Sequence, residues 1–294
     1  MKIEVKAYAK INLMLDIVGT RTDGYHDLFM IMQSVGIYHT ITVEKQDKKN
    51  GITISCNIDD IPVDSRNIAY KAAEAFFEHR GIKDRGVHIH IQKRIPHAAV
   101  LAGGSADGAG VIVALNKIYK TNIDDNELCK IGARVGADVP FCIVGGTKLC
   151  QGIGDVISNV KPLKKCYVLL AKPDYSVNTG QAYSQFDSCG KNHTPDKLGM
   201  LCAMQSRDLM SRCSKMENVF EQFIAVANRV EIKEIMRRHN ALGVCMSGSG
   251  PTIFGIYVNK DDAESAAGEL TEYAKDISLC MPISKGCRIS KITE

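Results

Sequence analysis

Apolar residues recur at every second position near the start of the chain. Ile3, Val5, Ala7, Ala9, Ile11, Leu13, Leu15 and Ile17 share one side of a two-residue period, which predicts a long, half-buried strand. Its other side carries Lys2, Glu4, Lys6, Tyr8, Lys10, Asn12 and Asp16, so Lys10 and Asn12 point the same way. Shorter runs, "YHTITV", "GITISC" and "VHIHIQ", repeat the pattern, and in the last Val87, Ile89 and Ile91 alternate with His88 and His90. Those histidines have a spacing that suits a metal but no nearby third ligand, so they read as a solvated strand face. "NIAYKAAEAFFEHRG" predicts a helix with Asn67 at its N-cap and Gly81 past its end. "DDNELCKIGARVG" predicts another, with Leu128, Ile131 and Val135 at helical spacing.

After "IVGGTKLCQGIGD" the pattern changes to a lysine-flanked apolar strand, "VKPLKKCYVLLAKPDY". A domain boundary is expected near residue 155, giving units 1–155 and 156–294. The second unit reads as a buried strand at "CYVLLA", a polar loop at "SCGKNHTPDK", helical patterns between 196 and 239, and strands at "TIFGIYV" and near the C-terminus. Strands and helices alternate without a regular β-α-β cadence, which predicts an α+β fold.

Composition narrows the setting. The chain has 294 residues with 45% hydrophobic and 24% charged content, ordinary for a soluble globular protein. Its net charge of +4, from 37 basic and 33 acidic residues, is spread along the chain; no basic block reads as a nucleic-acid or membrane arm. Small anionic substrates fit that balance. Eleven cysteines, odd in number, irregularly spaced and without a C-x-x-C pair, read as reduced thiols of a cytoplasmic protein, with no metal site. Residues 1–20 do not read as a signal peptide, and no apolar run approaches the roughly 20 residues that cross a bilayer.

Four segments carry candidate chemistry. "RIPHAAVLAGGSADGAGVIVALNKIY", residues 94–119, passes through small residues into an apolar helix. It is either a tight turn or a phosphate cradle, in which unobstructed backbone N–H groups and a helix N-terminus with about half a positive charge face the anion. It matches neither the Walker pattern nor the dinucleotide fingerprint. In "GADVPFCIVGG", Asp138 is either a helix cap or a carboxylate placed to accept a proton. "MSGSGPTIFGI" is either a hairpin bend or a turn closing on a ligand. In "GTRTDGYHDLFMIMQSV", Tyr25 and His26 form either a capped turn with a partly buried tyrosine or a pair presented for stacking and hydrogen bonding.

Taken together, "AYAKINLMLDIVGTRTDGYHDL", "IPHAAVLAGGSADGAG", "GADVPFCIVGGTKLCQGIGD" and "MSGSGPTIFGIY" resemble the GHMP small-molecule kinases over residues 7–259. The segments "AKINL", "DGYHDL" and "GADVPF" point to the branch that phosphorylates the 2-hydroxyl of a cytidine-diphosphate-linked methylerythritol in non-mevalonate isoprenoid synthesis. The resemblance implies a two-domain fold: an N-terminal domain like ribosomal protein S5 domain 2, and a ferredoxin-like α/β-plait C-terminal domain. It implies ATP as phosphoryl donor with Mg²⁺, and a monomer or weak homodimer. Asp138 falls on the family's catalytic aspartate and Lys10 on the lysine that partners it. Asn12 would bind the substrate near its reacting end, and Tyr25 and His26 would hold the cytosine. Thr179 would sit by the substrate phosphates and Tyr183 on the other cytosine face. Pro96, His97, Ala98, Ala99, Val100, Leu101, Ala102, Gly103, Gly104, Ser105 and Ala106 would wrap the ATP phosphates. Lys93 and Asn67 would neighbour the adenosine, and Ser247–Gly250 would support the phosphate site from the second domain.

The chain departs from the family where it reads "AGGSADGA": Ala102 replaces a glycine, Ala106 a serine and Gly108 an alanine. Contacts at Ala106 must then come from backbone or from Ser105, and a methyl at Ala102 requires a negative φ. Two other readings stand beside this one: a GHMP kinase acting on a mevalonate- or homoserine-like alcohol, and a non-catalytic nucleotide-binding relative.

Overall fold

Two long strands carry the N-terminal half of the chain. The computed structural model describes residues 1–163, 165–206 and 208–294. Strands β1 (Lys2–Thr20) and β2 (His26–Lys45) pair antiparallel along their lengths, joined by a turn in which Gly24 takes a φ of +82°. They are followed by β3 (Ile52–Cys56), α1 (Ile68–Arg80), β4 (Val87–Gln92), α2 (Gly103–Ile118), α3 (Asp125–Ala133), α4 (Val139–Val144), β5 (Thr147–Gly152) and β6 (Val156–Asn159). Helix α1 begins and ends as the sequence predicts: the Asn67 side chain accepts from the Ala69 N–H, and Gly81 closes the helix with a φ of +62°. Helix α2 is built of small residues because it lies almost on the sheet. A Cβ at Gly110 would stand 2.7 Å from Ile41 Cγ1 and 3.4 Å from Ala7 Cβ.

The C-terminal half adds β7 (Tyr167–Lys172), α5 (Thr179–Cys189), α6 (Lys197–Gln205), α7 (Leu209–Cys213), β8 (Glu217–Asn218), α8 (Arg229–Arg238), β9 (Gly243–Met246), β10 (Ile253–Tyr257), α9 (Lys260–Glu269), β11 (Asp276–Cys280) and β12 (Cys287–Thr293). Strands β7, β9, β10 and β11 form an antiparallel sheet in the order β11-β7-β10-β9. With helices crossing between β7 and β9 and between β10 and β11, this is the expected α/β plait. The first sheet runs β12-β1-β2-β4-β3, with β5 on β2, β6 on β5 and β8 on β1. The sheets therefore do not part at residue 155. The "GIGD" stretch there is the turn of the β5–β6 hairpin, with Gly152 and Gly154 at φ +62° and +113°, and the last strand returns to the first sheet beside β1.

Strand β1 is half-buried only at its start; Ala7 to Ile17 are buried without interruption. A bulge divides these side chains between two cores. Asn12 pairs with Met32 and Met14 with Ile31, leaving Leu13 unpaired. Ile11, Leu13 and Met14 face the core beneath α1 and α2, whereas Leu15 and Ile17 join the second core with Phe220 and Met246. One strand thus serves both cores.

His88 and His90 bond to the hydroxyls of β3: Thr53 Oγ1 is 2.9 Å from His88 Nδ1, and Ser55 Oγ is 2.9 Å from both His88 Nε2 and His90 Nδ1. All eleven cysteines are free, and burial pushes the thiols of Cys150, Cys166 and Cys213 up to about 12.

The segment before α2 corrects one expectation. Ala102 does not take a negative φ; Ala98, Val100 and Ala102 sit at +50°, +53° and +60°, a conformation that costs a residue with a Cβ about 1–2 kcal/mol. Contacts from both halves hold it. Lys10 N–H donates to Leu101 O at 3.1 Å, and Thr252 Oγ1 donates to Ala99 O at 2.7 Å. The turn at Gly248 meets Val100 so closely that a Cβ there would lie 2.5 Å from Val100 Cγ1. Replacing Ala102 with Gly is expected to stabilise the fold by about 0.5–1 kcal/mol, the left-handed penalty less the added freedom of the unfolded chain. A urea midpoint at or below that of the parent chain would show that Ala102 carries no strain.

Candidate active site

Two cavities meet at the left-handed loop. The larger, about 560 Å³, is lined by Lys10, Asn12, Tyr25, His26, Asp138 and Tyr183, among others, from β1, the β1–β2 turn, the start of α4 and α5. The smaller, about 240 Å³, is walled by Lys93, the loop from Ile95 to Gly104, and Ile58 and Ile61 opposite. Val100 lines both. Just beyond it, Gly103 and Gly104 face the smaller cavity while Ser105, one residue later, faces the larger.

The first turn of α2 suits an anion. No side chain caps it, so the leading N–H groups have no capping partner, and the helix directs its positive end at the junction of the cavities. The serine that Ala106 replaces is not compensated by backbone, because the Ala106 N–H is spent on Ala102 O at 2.8 Å. Contacts here fall to Gly103, Gly104 and Ser105. Asn67 does not reach the cavity wall: its Oδ1 caps α1 and its Nδ2 donates to Pro62 O at 2.6 Å.

Lys10 and Asn12 do share a face. Lys10 Nζ donates to Asn12 Oδ1 at 2.9 Å and lies 3.5 Å from Asp138 Oδ2. The second contact is an ion pair, longer than a good hydrogen bond. The Lys10 side chain is 5% exposed and that of Asp138 30%, so the carboxylate opens to the cavity while the ammonium is fixed behind it. Asp138 occupies the N-cap position of α4 but makes no capping bond, which leaves its oxygens for the cavity and excludes the cap reading. Pro140, at the second residue of α4, has no N–H to satisfy there. Neighbouring thiols are not nucleophiles: burial first, and the Asp138 charge second, hold Cys142 and Cys150 well above the ordinary thiol range.

At the far end, the β1–β2 turn holds Tyr25 outward. Asp23 Oδ1 accepts from the Tyr25 N–H at 3.1 Å, and the side chain is 61% exposed, so the partly buried reading fails. His26 is buried, and its Nε2 donates to Asp187 Oδ1 at 2.7 Å, so Nδ1 is the ring nitrogen that this carboxylate does not engage. Tyr183 does not face His26 across a gap: the two rings stack at 4.8 Å and 20°. Burial, with Asp138 adding to it, keeps the Tyr183 phenol well above its usual range. Thr179 Oγ1 lies 3.1 Å from Ser249 Oγ, in the turn that is both the β9–β10 hairpin bend and part of the cavity wall. Asp187 went unread in the sequence, although Thr179, Tyr183 and Asp187 fall at i, i+4 and i+8, one face of α5. His39 and Asp107, beneath the smaller cavity, left no signal. Among the described residues no group of three or more His, Cys, Asp or Glu is gathered to hold a metal.

The profile "GHMP kinases N terminal domain" matches residues 67–146, and "GHMP kinases C terminal" matches 203–276. The chain is 44% identical to the 4-diphosphocytidyl-2-C-methyl-D-erythritol kinase of Caldicellulosiruptor saccharolyticus, over 94% of this chain and 95% of the relative. It is also 44% identical to that of Clostridium acetobutylicum, over 93% and 98%. A crystal structure of 4-(cytidine 5'-diphospho)-2C-methyl-D-erythritol kinase superposes with a TM-score of 0.75 at 28% identity, covering 95% of this chain and 99% of that one. Homoserine kinase from Cytophaga hutchinsonii superposes at 0.80 with 17% identity, covering 98% and 97%, a likeness of fold alone. The chain belongs to the GHMP kinases, and among them to the 4-diphosphocytidyl-2-C-methyl-D-erythritol kinases.

Proposed function

We propose that Lys10 and Asp138 carry out the reaction of this ATP-dependent kinase: transfer of the γ-phosphoryl group to the 2-hydroxyl of 4-diphosphocytidyl-2-C-methyl-D-erythritol, a step toward isoprenoid precursors. The observation that supports the reading most is the junction of the two cavities, where the first turn of α2 stands between the nucleotide loop and the Lys10–Asp138 pair. ATP enters the smaller cavity with its base toward Ile58 and Ile61 and its phosphates on Gly103 to Ser105. The acceptor alcohol lies beside Asp138. As its oxygen bonds to the γ-phosphorus, the bond to the β–γ bridging oxygen breaks, ADP leaves, and the hydroxyl proton passes to Asp138. Lys10 faces the charge that spreads over the phosphoryl oxygens, and Asn12 keeps its ammonium in place.

Mg²⁺ fits as an ion carried by the nucleotide. The cavity offers it Ser105 and Asp138 rather than a dedicated cage, and Mg²⁺ commonly takes one or two carboxylates with substrate phosphates. Bound, it neutralises the β- and γ-phosphate charge.

The cytosine stacks on the exposed Tyr25 ring, and its exocyclic amine donates to His26 Nδ1. Tyr183 supports His26 from the opposite side rather than completing a sandwich. Thr179 and Ser249 line the diphosphate path between the base and Asp138.

A coupled ADP-release assay with the cytidylyl substrate, mevalonate and homoserine tests the assignment; turnover with either of the latter pair and none with the first overturns it. Asp138→Asn is expected to lower kcat by about 10²-fold or more, the loss typical of a missing general base, whereas near-parental turnover would remove Asp138 from that role. Tyr25→Ala should raise KM for the cytidylyl substrate about ten-fold, as a lost stacking contact does, and leave KM for ATP unchanged. A parallel rise in both constants would point instead to a disturbed fold.

A further inference from the structure

A buried ionic group lies beneath the nucleotide cavity, and two of its three members, His39 and Asp107, carry no role assigned above. His39 on β2 and Asp107 in the second turn of α2 are 1% and 2% exposed. His39 Nδ1 lies 2.6 Å from Asp107 Oδ1, and because a carboxylate only accepts, the ring nitrogen donates. Lys93 Nζ pairs with the other oxygen, Oδ2. The second ring nitrogen, His39 Nε2, is buried and has no hydrogen-bond partner among the described residues. That edge of the ring abuts the start of α2: a Cβ at Gly103 would stand 3.1 Å from His39 Cε1 and 3.6 Å from Nε2. His39 and Lys93 both line the smaller cavity.

Packing does not explain this imidazole. A buried ring with one nitrogen unsatisfied is worse for stability than an apolar ring of similar size. What it does satisfy is Asp107, whose negative charge stands close to the helix end meant for phosphate and would oppose the anion if left alone. Lys93 offsets that charge, but an ammonium on a four-carbon stem has many positions open to it. A carboxylate gripped at both oxygens leaves it one. We propose that His39 is a positioning residue for the phosphoryl donor: through Asp107 it fixes the Lys93 ammonium at the nucleotide loop. The inference rests on reading the smaller cavity as the ATP site.

Calorimetric titration of the full chain with ADP, in the absence of any acceptor alcohol, tests it independently of which alcohol is phosphorylated. His39→Leu is expected to weaken ADP binding about ten-fold. His39→Asn, whose amide reaches the place of Nδ1 and still donates to Asp107, should recover most of that loss. His39→Gln, whose amide lies where Nε2 was, should not. The Asn and Gln variants decide the matter even where the Leu variant fails to fold. Lys93→Ala should cost less in the His39→Gln background than alone, because both changes act on one ammonium. KM for ATP should rise with the dissociation constant, while kcat at saturating ATP falls no more than about three-fold. Equal affinity in the Asn and Gln variants, parental affinity in His39→Gln, or strictly additive losses would each reduce His39 to a packing residue and overturn the proposal. Absence of ADP binding in the parent chain would instead overturn the nucleotide reading of the cavity, and the proposal with it.

Discussion

The site depends on a short stretch of backbone that no isolated peptide would adopt. Ala98, Val100 and Ala102 are all left-handed, and valine, branched at Cβ, is poorly suited to that region. Such a stretch persists only where its surroundings over-determine it. Here the determinants come from both halves of the molecule: the Lys10 N–H on Leu101 O, the Thr252 hydroxyl on Ala99 O, and Gly248 packed on Val100. Asn218 secures the last by donating from Nδ2 to Met246 O and Gly248 O, both at 2.7 Å. Lys10, the cation of the proposed reaction, therefore also holds this loop: its side chain pairs with Asp138 and its main chain with Leu101.

Much of this was legible in the sequence wherever period or punctuation is local. The Asn67 cap, the Gly81 stop, the VHIHIQ strand and the common face of Lys10 and Asn12 follow from rules spanning a few residues, and the structure repeats them. What escaped was long-range. The alternation in β1 continues unbroken through Leu13, so nothing in it reveals the bulge that moves Leu15 and Ile17 to another core. The negative φ expected of Ala102 followed from its Cβ alone, and was overruled by contacts from Lys10 and Thr252, 92 and 150 positions away in sequence respectively. The boundary expected near residue 155 followed from a local change of pattern, which falls in the turn of the β5–β6 hairpin, and the strand that returns to the first sheet, β12, comes only at the end of the chain.

Likeness of fold and likeness of sequence do not run together for this chain. The superposition on homoserine kinase is closer than that on the cytidylyl-substrate kinase, although identity runs the other way. That is expected if the two sheets and the α2 loop serve phosphoryl transfer in general, while the acceptor is chosen by side chains on a turn and one helix face. In the proposed reading Tyr25, His26, Thr179, Tyr183 and Asp187 are such side chains: His26 opens β2, and the His26–Asp187 bond and the His26–Tyr183 stack join this end of the β1–β2 pair to α5.

For that arrangement to select an acceptor, α5 must stay at a fixed distance from Lys10, and a buried charge supplies the tether. Asp16, wholly buried on β1 four residues beyond Asn12, accepts from Lys191 Nζ at 2.7 Å and Lys197 Nζ at 2.6 Å. Both lysines follow directly on α5, the first just past its C-terminus and the second at the start of α6. A buried carboxylate is tolerated only with its partners in place, so a displacement of the segment after α5 leaves Asp16 uncompensated. The strand that carries Lys10 and Asn12 is thereby also the one that anchors the α5 wall of the larger cavity. The spacing between α5 and the Lys10–Asn12 face is then fixed jointly by Asp16 on β1 and by the two lysines of the segment that follows α5.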